Sequence, residues 1–303
     1  MVSPDDRESA APQVLVIGEA LIDIIERDGV ETEHVGGSPA NVALTLARLG
    51  RDVVLVTDIA DDARGRRIVE HLGDSGVRVL RGTAERTSTA RAVLRDDGSA
   101  EYVFDLSWNP PTVDPSAATH VHTGSIALYR EPGGSALVEV LEALPTGVTA
   151  SIDANIRPAL VGQHAAALAR FERMAASCEI VKLSDEDAAW LYPTASLDDV
   201  VTRLLALGAQ LAVVTRGEDG LLLASPAARV MVPAANIVVA DTIGAGDSAM
   251  GAILDEAFRQ GLGVRDGLLL EESALRAIGR WAARVAGVTT SRAGANPPRP
   301  TEL

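Results

Sequence analysis

The chain has 303 residues and carries 27 Lys plus Arg against 42 Asp plus Glu, a formal net charge of −15. Lys182 is the only lysine, leaving 26 of the 27 basic residues as arginine, and its run Glu179-Ile180-Val181-Lys182-Leu183-Ser184 has no glycine before the lysine, so a lysine-dependent phosphate loop of the G-x-x-x-x-G-K-S/T type is excluded. So acidic a chain, without a stripe of arginines, is a poor polyanion binder, which argues against a nucleic-acid partner and requires another device for any phosphate chemistry.

The N-terminus, Met1-Val2-Ser3-Pro4-Asp5-Asp6, has no charged n-region or apolar h-region, and residues 1–12 read as disordered. From Val14 onward, short β-rich runs alternate with helical patterns, the rhythm of an α/β fold: a central, mostly parallel sheet with helices on both faces. Strands are expected at 14–17, 53–57, 77–80, 149–152, 179–183 and 211–215. The first helix is expected over 39–49, with Ser38 as N-cap, Pro39 at its first position and Gly50 as its stop. A hairpin pattern around Asp97-Gly98 and a short strand near 31–36 interrupt the rhythm and predict a small projecting sheet, a lid with segments near 31–36 and 90–106. His120 and His122, two apart on an expected strand, would share one face, but no third metal ligand is placed by spacing. The lone Cys178 allows no internal disulfide and leads into an apolar run, the setting of a buried structural thiol. Residues 220–224 and 229–233 read as an antiparallel edge of the main sheet. With no linker, repeat or apolar run near the roughly 20 residues of a membrane span, one domain over 13–300 in a soluble, cytoplasmic protein is expected.

The chemistry concentrates near residue 245. A strand-like run, Val238-Val239-Ala240, leads through Asp241-Thr242-Ile243 into Gly244-Ala245-Gly246-Asp247-Ser248 and an apolar helical pattern ending near Gln260. Small residues at a helix start leave backbone N–H groups uncovered, and with the helix dipole they form an anion site that needs no lysine. Asp247 falls in the first turn, where it would accept a proton from an attacking hydroxyl while the cradle stabilises a transferring phosphoryl group. The plainer alternative is that Asp247 complements the dipole and the glycines turn the chain. Asp241 reads either as a turn former or, with carbonyls around Ile243, as a ligand for a hard cation.

The run from Asp241 to Ser248 resembles the C-terminal signature of the ribokinase-like, or phosphofructokinase-B, sugar kinases. Gly36-Gly37-Ser38-Pro39-Ala40-Asn41 and the residues following, to Gly50, resemble its N-terminal signature. Gly18-Glu19-Ala20-Leu21-Ile22-Asp23, Asp153-Ala154-Asn155-Ile156-Arg157-Pro158 and Ser291-Arg292-Ala293-Gly294-Ala295-Asn296 agree with it too. The resemblance implies a ribokinase-like fold and an ATP- and Mg2+-dependent transfer to a sugar hydroxymethyl group, with Asp247 as base and Gly244, Ala245 and Gly246 as the anion hole. It assigns the sugar to Asp23, Gly37 and Asn41, with Gly124 lining the pocket and Arg157 as a phosphate or substrate ligand, and the nucleotide to Ser184, Thr215, Gly217 and Asn296.

The family's Asn-x-x-Glu element appears as Ser184-Asp185-Glu186-Asp187, which assigns Asp187 to magnesium through water but with a shorter reach. Asp241 and the Ile243 carbonyl would hold a K+ ion, and adenine would meet helix 281–287, where Ala282, Ala283 and Arg284 stand. Among subfamilies the motifs look most like bacterial fructokinases, implying D-fructose to fructose 6-phosphate. Ribokinase and 2-keto-3-deoxygluconate kinase share most of them. The family's habit implies a homodimer through the lid. The alternative of another class, a sugar- and nucleotide-binding protein without turnover, is supported only by the altered 184–187 element. A dehydrogenase would need G-x-G-x-x-G after the first strand, where Gly18-Glu19-Ala20 stands.

Overall fold

Val14 and Val16 point to one side of the strand Val14–Ile17, Leu15 and Ile17 to the other, and all four are buried. A strand apolar on both faces must sit inside a sheet covered on both sides, as the expected α/β rhythm requires. The structure, a computed structural model, describes residues 13–27, 29–94, 100–262 and 269–303. The expectations for residues 1–12 and for the Asp97-Gly98 turn lie outside the described residues.

In chain order the first half comprises β1 (Val14–Ile17), β2 (Leu21–Arg27), β3 (Val30–Gly36), α1 (Ser38–Arg48), β4 (Val53–Thr57), α2 (Ala63–Gly73), β5 (Arg78–Arg81), β6 (Thr89–Leu94), β7 (Ala100–Asp105), β8 (His120–Gly124), α3 (Gly133–Glu142) and β9 (Thr149–Asp153). The second half comprises α4 (His164–Ala175), β10 (Ile180–Ser184), α5 (Asp185–Leu191), α6 (Leu197–Leu207), β11 (Leu211–Thr215), β12 (Leu221–Ala224), β13 (Arg229–Val232), α7 (Ala245–Arg259) and α8 (Glu272–Thr290). Nine strands form the main sheet in the order β13-β12-β11-β10-β9-β8-β1-β4-β5. From β11 to β5 every pairing is parallel, and β12 and β13 add the antiparallel edge expected for 220–224 and 229–233.

Two apolar layers follow from the alternation. One face packs Val14, Val16 and Leu55 against α1, α2, α7 and α8, through residues such as Leu44, Leu72, Ile253 and Ile278. The other packs Leu15, Ile17 and Val56 against α3 to α6, through Leu137, Phe171, Leu191 and Leu204. β1 lies between β4 and β8, so the chain turns to opposite sides of it, and the crevice beyond the strands' carboxyl ends is where such sheets take ligands.

The lid is a separate four-stranded sheet, β3-β2-β6-β7, in which β2 pairs with β6 in parallel and the other pairs are antiparallel. Its inner strand β2 was not anticipated: Leu21-Ile22-Asp23-Ile24 follows β1 after only three residues, so Asp23 stands on a lid strand. Glu33 on β3 is gripped by Arg64 and Arg67 of α2, which ties the lid's edge to the main body.

Two local expectations are corrected. Ser38 does not cap α1; the cap position belongs to Gly37, at φ 103°, and no side chain caps this helix. The run Val238-Val239-Ala240 is not a strand, having no partner to pair with, and Val238 and Val239 are 88% and 59% exposed.

Candidate active site

The start of α7 is built as a cradle. Gly244 takes a left-handed conformation (φ 74°), and a Cβ there would lie 2.5 Å from the Ala295 Cβ, so both backbone and space demand glycine. The first intrahelical bond runs from the Ser248 N–H to the Gly244 carbonyl at 2.8 Å. Ala245, expected in the anion hole, donates its N–H to the Thr242 carbonyl at 3.2 Å, which leaves the amides of Gly246 and Asp247 as the helix's open donors. Beneath them lies the chain's only lysine: Lys182 Nζ is 3.8 Å from where a Gly246 Cβ would stand. Lys182 is 3% exposed and pairs with Asp153 Oδ2 at 2.7 Å. Asp153 Oδ1 is buried without a partner, and burial pushes this carboxyl up to about 6 despite the lysine. Neither residue was assigned to the site from the sequence, because the pairing joins strands β9 and β10 across 29 residues.

Asp247, 8% exposed, is held on both oxygens. The Ser38 hydroxyl donates to Oδ1 at 2.6 Å and the Asn41 amide donates to Oδ2 at 2.8 Å. Both donors stand in the first turn of α1. That turn can start where it does because Gly37 lies against the Glu19 carbonyl, 2.5 Å from where a Cβ would be. The missed Ser38 is therefore a partner of the Asp247 carboxylate, and Asn41, assigned to sugar, also faces Asp247.

One cavity of about 1340 Å³ joins this cradle to the lid. Of the residues singled out from the sequence, Asp23, Gly37, Asn41, Arg157, Asp241, Ile243, Gly244, Gly246, Asp247 and Asn296 line it. From the lid, His34, Ala90, Ala92 and Phe104 line it as well. Burial pushes the Asp23 carboxyl up to about 6, with His34 and Arg157 pulling it down and Asp247 pushing it up. Arg157 is exposed and donates to Asn155 Oδ1 at 2.7 Å and to the Ile156 carbonyl at 3.1 Å. Asn296 Oδ1 accepts from Arg48 at 2.6 Å. Asp241 accepts from the Ile243 N–H at 3.0 Å and from the Gly294 N–H at 2.7 Å, so its carboxylate ties the cradle loop to the 294–296 turn.

Ser184, Asp187, Thr215, Gly217 and Ala245 do not line this cavity. Ser184 and Asp187 form a capping box at the start of α5, the Ser184 hydroxyl accepting the Asp187 N–H at 3.0 Å and Asp187 Oδ2 accepting the Ser184 N–H at 2.8 Å. Asp187 Oδ1 accepts the Ile156 N–H at 2.7 Å. Thr215 lies beside Ser184 in register, and Gly217 opens a short turn at φ 51°. On α8, Ala282 is buried in the core, Ala283 is half-buried and Arg284 is exposed. Gly124, expected to line the sugar pocket, ends β8 opposite Asp153 and is not among the cavity's lining residues.

The remaining candidates are structural. Cys178 is buried and donates to the Met174 carbonyl at 3.3 Å, and burial pushes its thiol far up. His120 and His122 share a buried face and both meet the Ser151 hydroxyl, at 2.7 and 2.8 Å. Among the described residues, no three His, Cys, Asp or Glu side chains are grouped to hold a metal ion, and no helix is long and apolar enough to cross a membrane.

Known proteins similar to this chain point to one family. Residues 11–302 match the profile of the pfkB family carbohydrate kinases. A fructokinase of Rhizobium leguminosarum bv. trifolii is 34% identical over 260 residues, covering 80% of this chain and 78% of its own. The crystal structure of a Xylella fastidiosa fructokinase with bound ATP superposes with a TM-score of 0.82 at 26% identity, covering 93% of both chains. A Vibrio cholerae O395 fructokinase double mutant, solved with fructose, ADP and a potassium ion, superposes with a TM-score of 0.76 at 25% identity over 95% of both chains. With nearly its whole length matched, the chain belongs to the pfkB family of carbohydrate kinases.

Proposed function

We propose that this kinase transfers the γ-phosphoryl group of ATP to the hydroxymethyl oxygen of D-fructose, giving fructose 6-phosphate. The observation that carries the reading is Asp247: a buried carboxylate at the start of a helix, fixed on both oxygens by Ser38 and Asn41, in a cavity shared with Asp23 and the lid. Fructokinase relatives and structural neighbours supply the choice of sugar.

In this reading Asp23 and Asn41 receive the sugar hydroxyls, Gly37 lets the backbone approach, and Asp247 takes the proton of the attacking hydroxyl. The open amides of Gly246 and Asp247 face the phosphoryl charge, and Lys182, paired with Asp153, brings a cation beneath them. Asn296 on the cavity wall, with Ser184, Thr215 and Gly217 at the carboxyl ends of β10 and β11, receives the nucleotide. Magnesium, when bound, neutralises phosphate charge; it keeps much of its water and takes few protein ligands, which suits a site with the orphaned Asp153 Oδ1 and with Asp187 reached through water. Asp241 and the Ile243 carbonyl are the residues for a K+ ion, as a potassium-bound neighbour suggests.

An ATP-dependent reaction fits a cytoplasmic setting. Arg157 on the cavity wall favours a second reading, a 2-keto-3-deoxygluconate kinase, because that substrate's carboxylate needs a cation. ADP formation measured across D-fructose, D-ribose and 2-keto-3-deoxygluconate decides between them: D-fructose is expected to give the highest kcat/KM, and absence of turnover with every sugar would refute the proposal. The lid's edge strands β3 and β7 carry the exposed Val30 and Val103, which favours a homodimer through this sheet, and a monomeric mass by light scattering at micromolar concentration would count against it.

A further inference from the structure

Glu19 lies two residues beyond β1, where the chain leaves the main sheet to enter the lid as β2. It is 4% exposed, and among the described residues no cation faces its carboxyl. A buried carboxyl is costly unless hydrogen bonds compensate, so the ones it makes carry information. Its Oε2 accepts the Ala127 N–H at 3.1 Å, and the Ser125 hydroxyl lies close enough to favour its ionised form. Ser125 and Ala127 belong to the one-turn helix Ser125–Leu128 that follows β8. Ser125 holds φ 60°, a conformation that a non-glycine residue keeps only where its surroundings enforce it. Ser125, Ile126 and Glu19 all line the cavity that holds Asp23 and Asp247.

The backbone of Glu19 is fixed as well. Its carbonyl lies against Gly37, and the next N–H, that of Ala20, donates to the Thr57 hydroxyl at 3.0 Å. One residue therefore touches the turn at the cavity floor and the glycine from which Ser38 and Asn41 reach Asp247. Burial pushes the Glu19 carboxyl up to about 7, with Asp247 adding to the rise, as expected for a group kept for its hydrogen bonds and not for pairing a cation.

We infer that Glu19 is a positioning residue for the sugar pocket: its carboxyl clamps the strained Ser125–Ala127 turn, setting the cavity floor against the Gly37 end of α1. This rests on the carbohydrate-kinase reading. Ser125 and Ile126 then face the sugar in a fixed geometry, and loosening them weakens sugar binding without touching the nucleotide side.

The test compares Glu19→Met, which fills the volume but offers Ala127 no acceptor, with Glu19→Gln, which keeps an acceptor and supplies a donor toward Ser125. Two readouts are taken: KM for whichever sugar the wild type turns over best, beside KM for ATP, and hydrogen exchange of the Ala127 amide. Glu19→Met should raise the sugar KM about tenfold or more, the scale of a lost buried hydrogen-bond pair, leave the ATP KM within about twofold, and speed Ala127 exchange. Glu19→Gln should stay within about threefold of wild type in sugar KM and keep the amide protected. A folded Glu19→Met with a wild-type sugar KM, or with equal losses for sugar and ATP, overturns the inference. Should the Met variant fail to fold, a tenfold sugar KM loss or an unprotected Ala127 in Glu19→Gln overturns it. A wild type inactive on every sugar refutes the kinase reading, and the exchange comparison still decides whether Glu19 holds the turn.

Discussion

The two halves of this crevice use polar side chains in opposite ways. Between the lid, α1 and α7, Ser38 and Asn41 spend their donors on Asp247, and Asp23 is left facing the cavity. At the ends of β10 and β11, Ser184 and Asp187 instead accept from backbone N–H groups: they close the α5 cap and hold the Ile156 amide. The first region is organised around one carboxylate and the second around the turn that frames it. Residue types alone do not distinguish the two, since each offers a serine and an aspartate.

Substitutions can break that contrast. Asp187→Ala should cost the most stability, about 3 kcal/mol from two backbone amides losing a charged acceptor, read as a shift in urea midpoint. An unchanged midpoint would mean that its bonds to Ser184 and Ile156 do not matter. The serines should then part company. Ser38→Ala should lower kcat roughly tenfold, because one oxygen of Asp247 loses its donor, whereas Ser184→Ala should cost about 1 kcal/mol of stability with kcat little changed. Equal behaviour of the two would erase the distinction.

The pH dependence of sugar binding is a finer test. Burial raises Asp23 to about 6, so its carboxylate, the form that accepts sugar hydroxyls, is lost as pH falls through 6. The sugar KM should rise about tenfold by pH 5, one pH unit being a factor of ten for a single proton. Asp23→Asn should have a high KM with no such limb, and an acid limb that survives in this variant would assign the effect to another group.

Much of the fold was legible because strands buried on both faces show in sequence as short apolar runs; the expected strands at 14–17, 53–57 and 211–215 coincide with β1, β4 and β11. The cradle was legible for a similar reason, since a helix start is local and Gly244 to Asp247 are contiguous. What escaped was non-local. Ser38-Pro39 reads as a cap followed by a first-turn proline, yet the hydroxyl is engaged by a residue 209 positions away. Lys182 was rightly excluded from a phosphate loop, but its place beneath Gly246 depends on how β10 stacks against α7. Val238 and Val239 satisfy strand propensity and lack only a neighbouring strand, which propensity does not report. Leu21 to Arg27 was passed over because the chain moves from one sheet to the other with three residues between β1 and β2.

The central claim is that Asp247 takes the proton from the sugar hydroxymethyl group, and a single-turnover measurement of phosphoryl transfer in Asp247→Asn tests it most directly. With D-fructose and saturating Mg-ATP, transfer should slow by at least about 10²-fold, the scale of a lost general base, while ATP binding stays at its wild-type value. Transfer at close to the wild-type rate would contradict the account.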